Sequence, residues 1–468
     1  MAEAVTSVRA VSIEKDKEKT VKESYDCVVV GAGPGGLMAA KTAAENGLRV
    51  ALIERKENVT EIMRACSMMV VSLSGHYLGE RVILNVRDQR LCFPHYGFSV
   101  PYDGPHKNFY SWQIWSHKGH KLQIGDYEEN IRKGDAGRTS AVYSKEILLG
   151  CLLREFIRYG GELFTPYNVI GAVKEGGKVK VVTREGKTFQ GTFVIAADGR
   201  TSRLARCLGL NQTRSFFGTN TGMGYEMVGA EIPQERSLFQ IFLGEEPRMR
   251  VWMTPRAGNE AYAVIIMTLD PAADLEGAFE RFLNRGAFSS WFKKAEKTKR
   301  LSVVGNMLSH VTKPYKDQVI FIGDTIWCQE SEMTGALISG WKAVSALTLA
   351  LVEGKVSEEG MKDYITWWED EVLKKNDWRD MIRNVVMPYT LNPDDIDFLL
   401  SLFKKSLFGP FDPYETPKIV GAGMAEIMPI VAKERPSIFA KMKRMGGTPL
   451  NAVFGGCIRV GFPAFQTV

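Results

Sequence analysis

The strand-like run Tyr25-Asp26-Cys27-Val28-Val29-Val30 passes directly into Gly31-Ala32-Gly33-Pro34-Gly35-Gly36, and a helix-forming stretch, Leu37 to Asn46, follows. No other feature constrains the chain as much. Gly47 suits a helix C-cap, and the next strand, 48–53, is closed by the acid Glu54. Strand, turn, helix and strand in this order make a parallel unit. Glycine at 31, 33 and 36 allows a tight turn, close backbone approach to a pyrophosphate and close helix–strand packing. The helix N-terminus beginning at Pro34 and Gly35 brings partial positive charge, and Glu54 can accept from ribose hydroxyls. The pattern predicts dinucleotide binding.

Two later strand ends extend the same logic. Phe193-Val194-Ile195-Ala196-Ala197 ends in Asp198-Gly199, and Val319-Ile320-Phe321-Ile322 ends in Gly323-Asp324. Ligands of open parallel sheets lie at the carboxyl ends of the strands. Three such ends, each delivering glycine with a carboxylate, suit one long cofactor across the sheet.

Composition removes other readings. Among the 468 residues 45% are apolar and 24% charged, the balance of an ordinary globular chain and not a disordered one. A net charge of +6 spread over such a surface gives no case for a nucleic-acid partner. The seven cysteines contain no C-x-x-C pair, and the six histidines show no ligand spacing, so no metal site is expected. Free thiols and the lack of a spanning apolar run predict a cytoplasmic protein.

The trio of glycine-rich turn, Asp198-Gly199 and Gly323-Asp324 resembles the FAD enzymes built like p-hydroxybenzoate hydroxylase, over roughly residues 24–355. Within that superfamily the details are more similar to the geranylgeranyl reductases. Arg64-Ala65-Cys66 falls where those enzymes commonly carry a cysteine beside the flavin. Trp252-Met253-Thr254-Pro255 keeps the Trp and Pro of their Y-x-W-x-F-P strand, with Arg250 for Tyr and Thr254 for Phe. The loop from Thr325 to Thr334 departs from the family's glycine-rich pattern and carries Glu330 and Glu332.

The resemblance implies FAD as cofactor. Glu54 would hold the adenosine ribose, Asp198-Gly199 would lie near the pyrophosphate, and Asp324 would hold the ribityl chain. A helix starting near Gly335-Ala336 would aim its N-terminus at the flavin pyrimidine edge, with Arg55 and Arg64 among the cofactor-binding residues. Cys66, Trp252 and Glu330 are the catalytic candidates. Read alone, Cys66 is equally a small buried hydrophobe, Trp252 a pocket wall and Glu330 a solvent-facing or capping acid.

The expected architecture is α/β, a doubly wound Rossmann-like FAD-binding domain with an inserted antiparallel β substrate domain and a helical C-terminal region. The expected division is a flexible tail at 1–24, an FAD-binding domain from 25–90, 138–212 and 305–355, a substrate domain from 91–137 and 213–304, and the C-terminal region at 356–468. The expected chemistry is reduction or dehydrogenation of an apolar isoprenoid- or lipid-like substrate, with NAD(P)H or a ferredoxin as electron donor. The alternatives are a flavin monooxygenase and an electron-transfer subunit. Lys441, Lys443 and Arg444 interleaved with Ile438, Phe439, Met442 and Met445 read either as a peripheral membrane contact or as a helical cap over the FAD domain.

Overall fold

The computed structural model describes residues 24–447 other than 63, 329, 376, 378, 380, 381 and 383–389. The expected tail (Ser24 excepted) and the apolar stretch at 453–465 lie outside the described residues.

Five parallel strand segments form the first layer, in the order Glu162–Phe164, Val50–Ile53, Tyr25–Val30, 193–196 and Val319–Phe321. Their side chains are buried on both faces, as the unbroken apolar runs require. The first half of strand Thr188–Ala196 turns away into an antiparallel meander with Lys178–Thr183 and Val169–Glu175. Helix Pro34–Glu45 packs against helices Lys145–Arg158 and Glu332–Val352. The second of these crossings is backbone to backbone, since a Cβ on Gly340 would stand 2.5 Å from the Gly35 carbonyl oxygen. Helix Glu332–Val352 is long and apolar enough to cross a membrane, yet 61% of its apolar window is buried inside the protein. It is a core helix.

The second layer is a seven-stranded sheet in the order Glu296–Leu308, Phe216–Val228, Tyr262–Thr268, Met249–Pro255, Ser237–Phe242, Ser111–Trp115 and Lys121–Ile124. Only the Ser237–Phe242/Ser111–Trp115 pairing is parallel. Alternation gives this sheet one apolar and one mixed face. Met249, Val251, Met253, Val264 and Ile266 pack under helix Leu275–Asn284, which buries Ala278, Phe279, Phe282 and Leu283. Burying each larger side chain contributes about 1.5–3 kcal/mol. The opposite face presents Gln240, Arg250, Trp252, Thr254, Ile265 and Met267 to a cavity.

Residues 68–137 contain short strands, among them Arg90–Phe93, Phe98–Pro101 and His106–Phe109. The division expected between residues 90 and 91 therefore falls inside a paired strand. The C-terminal region divides its packing. Tyr364, Trp368 and Val372 join the core of the parallel sheet. Ile396, Leu399, Leu400, Ile427, Val431 and Ile438 pack on Ile114 and Leu122 of the seven-stranded sheet. The cap thus covers the antiparallel sheet, where the sequence pointed to the FAD domain. Phe439 and Met442 pack on the same cluster and Lys441 pairs with Asp395 at 2.7 Å, so the basic, apolar stretch is largely cap.

Candidate active site

Each glycine of the loop has its own structural cause. Gly31 has φ +100°, and a Cβ there would stand 2.4 Å from the Ala197 carbonyl oxygen. A Cβ on Gly36 would lie 1.8 Å from the Gly31 carbonyl oxygen. These two serve the fold. A Cβ on Gly33 would meet nothing within 4 Å. Helix Pro34–Glu45 begins there with no side-chain cap and no acid in its first turn, so its positive end is left open.

Glu54 is buried at the end of its strand. Its carboxylate accepts from the Ala32 N–H at 2.7 Å and the Lys56 N–H at 2.9 Å, tying the second strand to the glycine loop. Arg55 beside it is exposed. Asp198 accepts from Ser202 Oγ at 2.6 Å and from the Arg203 and Leu204 N–H groups, closing the turn around Gly199. Burial pushes its carboxyl up, against the pull of those bonds.

Asp324 follows Gly323 and accepts from both the N–H and Oγ of Ser331 at 2.9 Å. Arg64 reaches across from the other side, 3.4 Å from Asp324 and 2.6 Å from Glu330. Burial pushes the Asp324 carboxyl up, but Arg64, Arg200 and the Ser331 bonds outweigh it and hold Asp324 below the usual carboxylate range. Glu332, the other acid that the sequence placed in this loop, completes the group. Burial first, then the charges of Glu330 and Asp324, push its carboxyl up to about 8. The helix starts at Glu332, earlier than expected. Gly335 and Ala336 lie in its first turns, against Tyr77, Leu78 and Gly35.

Cys66, Glu330, Glu332, Arg200 and Trp252 all line one cavity of about 340 Å³. Cys66 Sγ is 3.4 Å from the Met68 N–H and 3.9 Å from Lys145 Nζ. Trp252 donates to Ser67 Oγ at 2.8 Å and packs against Trp112 with ring centroids 5.7 Å apart. From this polar wall the cavity runs over Ile265, Met267 and Ile114 to Leu399, Leu400, Val420 and Met424 of the C-terminal helices. Arg200, Asn220 and Gln240 also line it and went unassigned in the sequence. The one signal for Arg200 was its place directly after Asp198-Gly199.

Comparisons with known proteins bear on the fold and the cofactor. Residues 26–59 match the family model described as FAD dependent oxidoreductase. The chain is 25% identical to digeranylgeranylglycerophospholipid reductase of Methanosarcina mazei over 83% of this chain and 90% of the relative. It is 24% identical to the protein of that name from Methanocaldococcus jannaschii over 84% and 93%. A geranylgeranyl bacteriochlorophyll reductase-like protein from Thermoplasma acidophilum shares the fold, with TM-score 0.65, 18% identity and coverage of 90% and 99%. The myxobacterial chondrochloren halogenase does so at TM-score 0.56 and 17% identity, with 94% of each chain covered.

The residues present fit FAD. The open space at Gly33 and the uncapped helix end are of the kind that would accept a pyrophosphate. Nε and Nη2 of Arg200 and Nε of Arg64 are buried without a hydrogen-bond partner among the described residues, donors that an oxygen-rich cofactor would satisfy.

Proposed function

We propose that this chain, an FAD-dependent oxidoreductase with a Rossmann-like fold, reduces a carbon–carbon double bond of an isoprenoid lipid held in the cavity. The observation that carries the reading is the cavity itself. One end is the wall of Cys66, Trp252, Glu330 and Glu332, next to Asp324; the other is an apolar sheet face closed by apolar helices. A chain of methyl-branched hydrocarbon matches that lining. The relatives from Methanosarcina mazei and Methanocaldococcus jannaschii are named for reducing a geranylgeranyl-bearing glycerophospholipid.

In this reading Gly31 and Gly36 shape the loop, Gly33, Pro34 and Gly35 hold the pyrophosphate with the open end of their helix, and Glu54 holds the adenosine ribose. Asp198-Gly199 shapes the neighbouring turn and Asp324 holds the ribityl chain. The bound FAD supplies a two-electron store that exchanges hydride. The N-terminus of helix Glu332–Val352 places partial positive charge beside it. Trp252, fixed by its bond to Ser67, is a rigid wall against which an alkene lies flat. The apolar lining excludes water, so the substrate meets the reacting end in few orientations. Electrons arrive from NAD(P)H or a ferredoxin. A peripheral membrane contact through exposed Phe408, beside Lys404 and Lys405, would bring lipid to the cap.

The test is anaerobic. Protein reduced with dithionite is mixed with a geranylgeranyl-chain glycerophospholipid, and flavin absorbance and the saturated product are followed. Reoxidation with one double bond lost per flavin is expected. No reoxidation without O₂, but O₂ consumption stoichiometric with substrate, would replace the reductase by a monooxygenase.

A further inference from the structure

The three carboxylates at the polar wall are not equivalent. Arg64 sits between two of them, Glu330 and Asp324, and Asp324 also takes two bonds from Ser331. The Glu332 side chain has no hydrogen bond or ion pair among the described residues, although the cavity wall brings it to the same space as Cys66 and Trp252. Its backbone is held at φ +57°, a conformation that L residues avoid. Neighbouring bonds hold it there: Tyr77 donates to the Ser331 carbonyl and Thr334 donates to the Val71 carbonyl. Strain of this kind persists where the surroundings over-determine it, and it concentrates at working sites.

Titratable groups face this carboxyl from several packed elements. Asp324 and Glu330 come from the preceding loop, Lys145 from helix Lys145–Arg158, Arg200 from the turn after Gly199, and the phenols of Tyr77 and Tyr143 close the remaining side. Burial and the carboxylates outweigh Lys145 and Arg200 and push the Glu332 carboxyl up, toward the neutral acid. Hydride addition to an unactivated double bond needs a proton at the other carbon, and Glu332 lines the wall of the cavity where that carbon would lie.

We propose that Glu332 is the proton donor of the reduction, a catalytic residue that rests on the reductase reading above. One alkene carbon takes hydride from the reduced flavin. The other forms its C–H bond with the Glu332 proton as the π bond breaks. The substrate gains two electrons and the flavin loses them. Glu332 is left as carboxylate and is reprotonated from water after the product leaves.

Three readouts test this. In infrared spectra of the flavin-loaded protein in the dark, without substrate, the C=O stretch of a protonated carboxyl should be present at pH 7. It should titrate away near pH 8 and be missing in Glu332→Gln. In single turnovers of dithionite-reduced protein with the geranylgeranyl lipid, wild-type rates should fall as pH rises through about 8, and Glu332→Gln should be slower by about a hundredfold or more. Glu332→Asp should restore part of the rate and the pH limb. A wild-type enzyme active on the lipid but without the pH limb or the carboxyl band would overturn the proposal alone, as would Glu332→Gln reoxidised at the wild-type rate. Wild-type protein that is not reoxidised by the lipid would overturn the reductase reading, and the proton donor with it. The wild-type measurements decide the matter even if the Gln variant does not fold.

Discussion

Gly33→Ala and Gly36→Ala separate what the fold requires of the loop from what the ligand requires. At Gly36 the new methyl would lie 1.8 Å from the Gly31 carbonyl oxygen and 3.1 Å from Ala197 Cβ, so backbone must move. Overpacking of that kind costs about 1–3 kcal/mol or more. At Gly33 the backbone (φ −73°, ψ −179°) suits any L residue, and a methyl meets nothing within 4 Å. Two small effects oppose there. Loss of unfolded-state freedom stabilises by about 0.4–1 kcal/mol, and alanine is a poorer N-cap than glycine. The apoprotein should therefore stay within about 1 kcal/mol of wild type, a Tm change of a few degrees at most. Cofactor binding should not survive so well. The methyl stands where the pyrophosphate approaches the helix end, and each charge-assisted bond lost costs about 1.5–3 kcal/mol. At about 1.4 kcal/mol per decade, each is worth ten- to a hundredfold in Kd. Melting of the apoproteins by circular dichroism and FAD titration by fluorescence quenching give the two readouts. If Gly33→Ala binds FAD with wild-type affinity, or melts as low as Gly36→Ala, the open space at Gly33 is not the pyrophosphate site.

Glu54→Ala should weaken FAD retention by about 1–3 kcal/mol, measured by the same titration, because it orphans both the Ala32 N–H and the ribose. Asp324→Ala should purify mostly as apoprotein, since Arg64 and Ser331 lose their shared acceptor; full flavin content with an unchanged visible spectrum would refute that. Cys66→Ser should fold, hold FAD and change turnover or flavin potential, whereas a merely packed Cys66 would cost some stability and leave activity alone. Ile265→Trp, which fills the middle of the cavity, should abolish reoxidation by lipid while sparing flavin content. Sedimentation with anionic vesicles should show weak binding at low salt that disappears at high salt; no binding at low salt ends the membrane contact.

What could be read in the sequence followed how local its cause is. Helix Leu275–Asn284 has a cap at Asp274 and an apolar stripe, both legible in the sequence. The strand ends at Asp198 and Asp324 carried the same kind of local signal. Strands of two to five residues between 69 and 124 are too short for alternation to rise above their surroundings. Helix Glu332–Val352 begins where it does because Asp324 captures the N–H and hydroxyl of Ser331, a contact with no local cap to announce it. The strand 249–255 alternates Met249, Val251 and Met253 with Arg250, Trp252 and Thr254, but alternation alone does not say what each face meets. Only the helix packed on one side tells which of them lines the cavity. The cap had the same ambiguity, because Lys441 and Phe439 look alike whether they meet lipid or Asp395 and a sheet.

The charges at the polar wall show where such reading stops. Asp324, Glu330 and Glu332 stand close together in sequence, and any of them could have been the ionised partner of a cation. The cation is Arg64, 260 residues before Asp324 and 266 before Glu330. It has one guanidinium for three acids and spends it on two. The remaining acid, Glu332, is left with burial and two neighbouring carboxylates, which push its carboxyl up against the opposing pull of Lys145 and Arg200; in a buried cluster the pairing shapes ionisation, and the pairing is made by the fold.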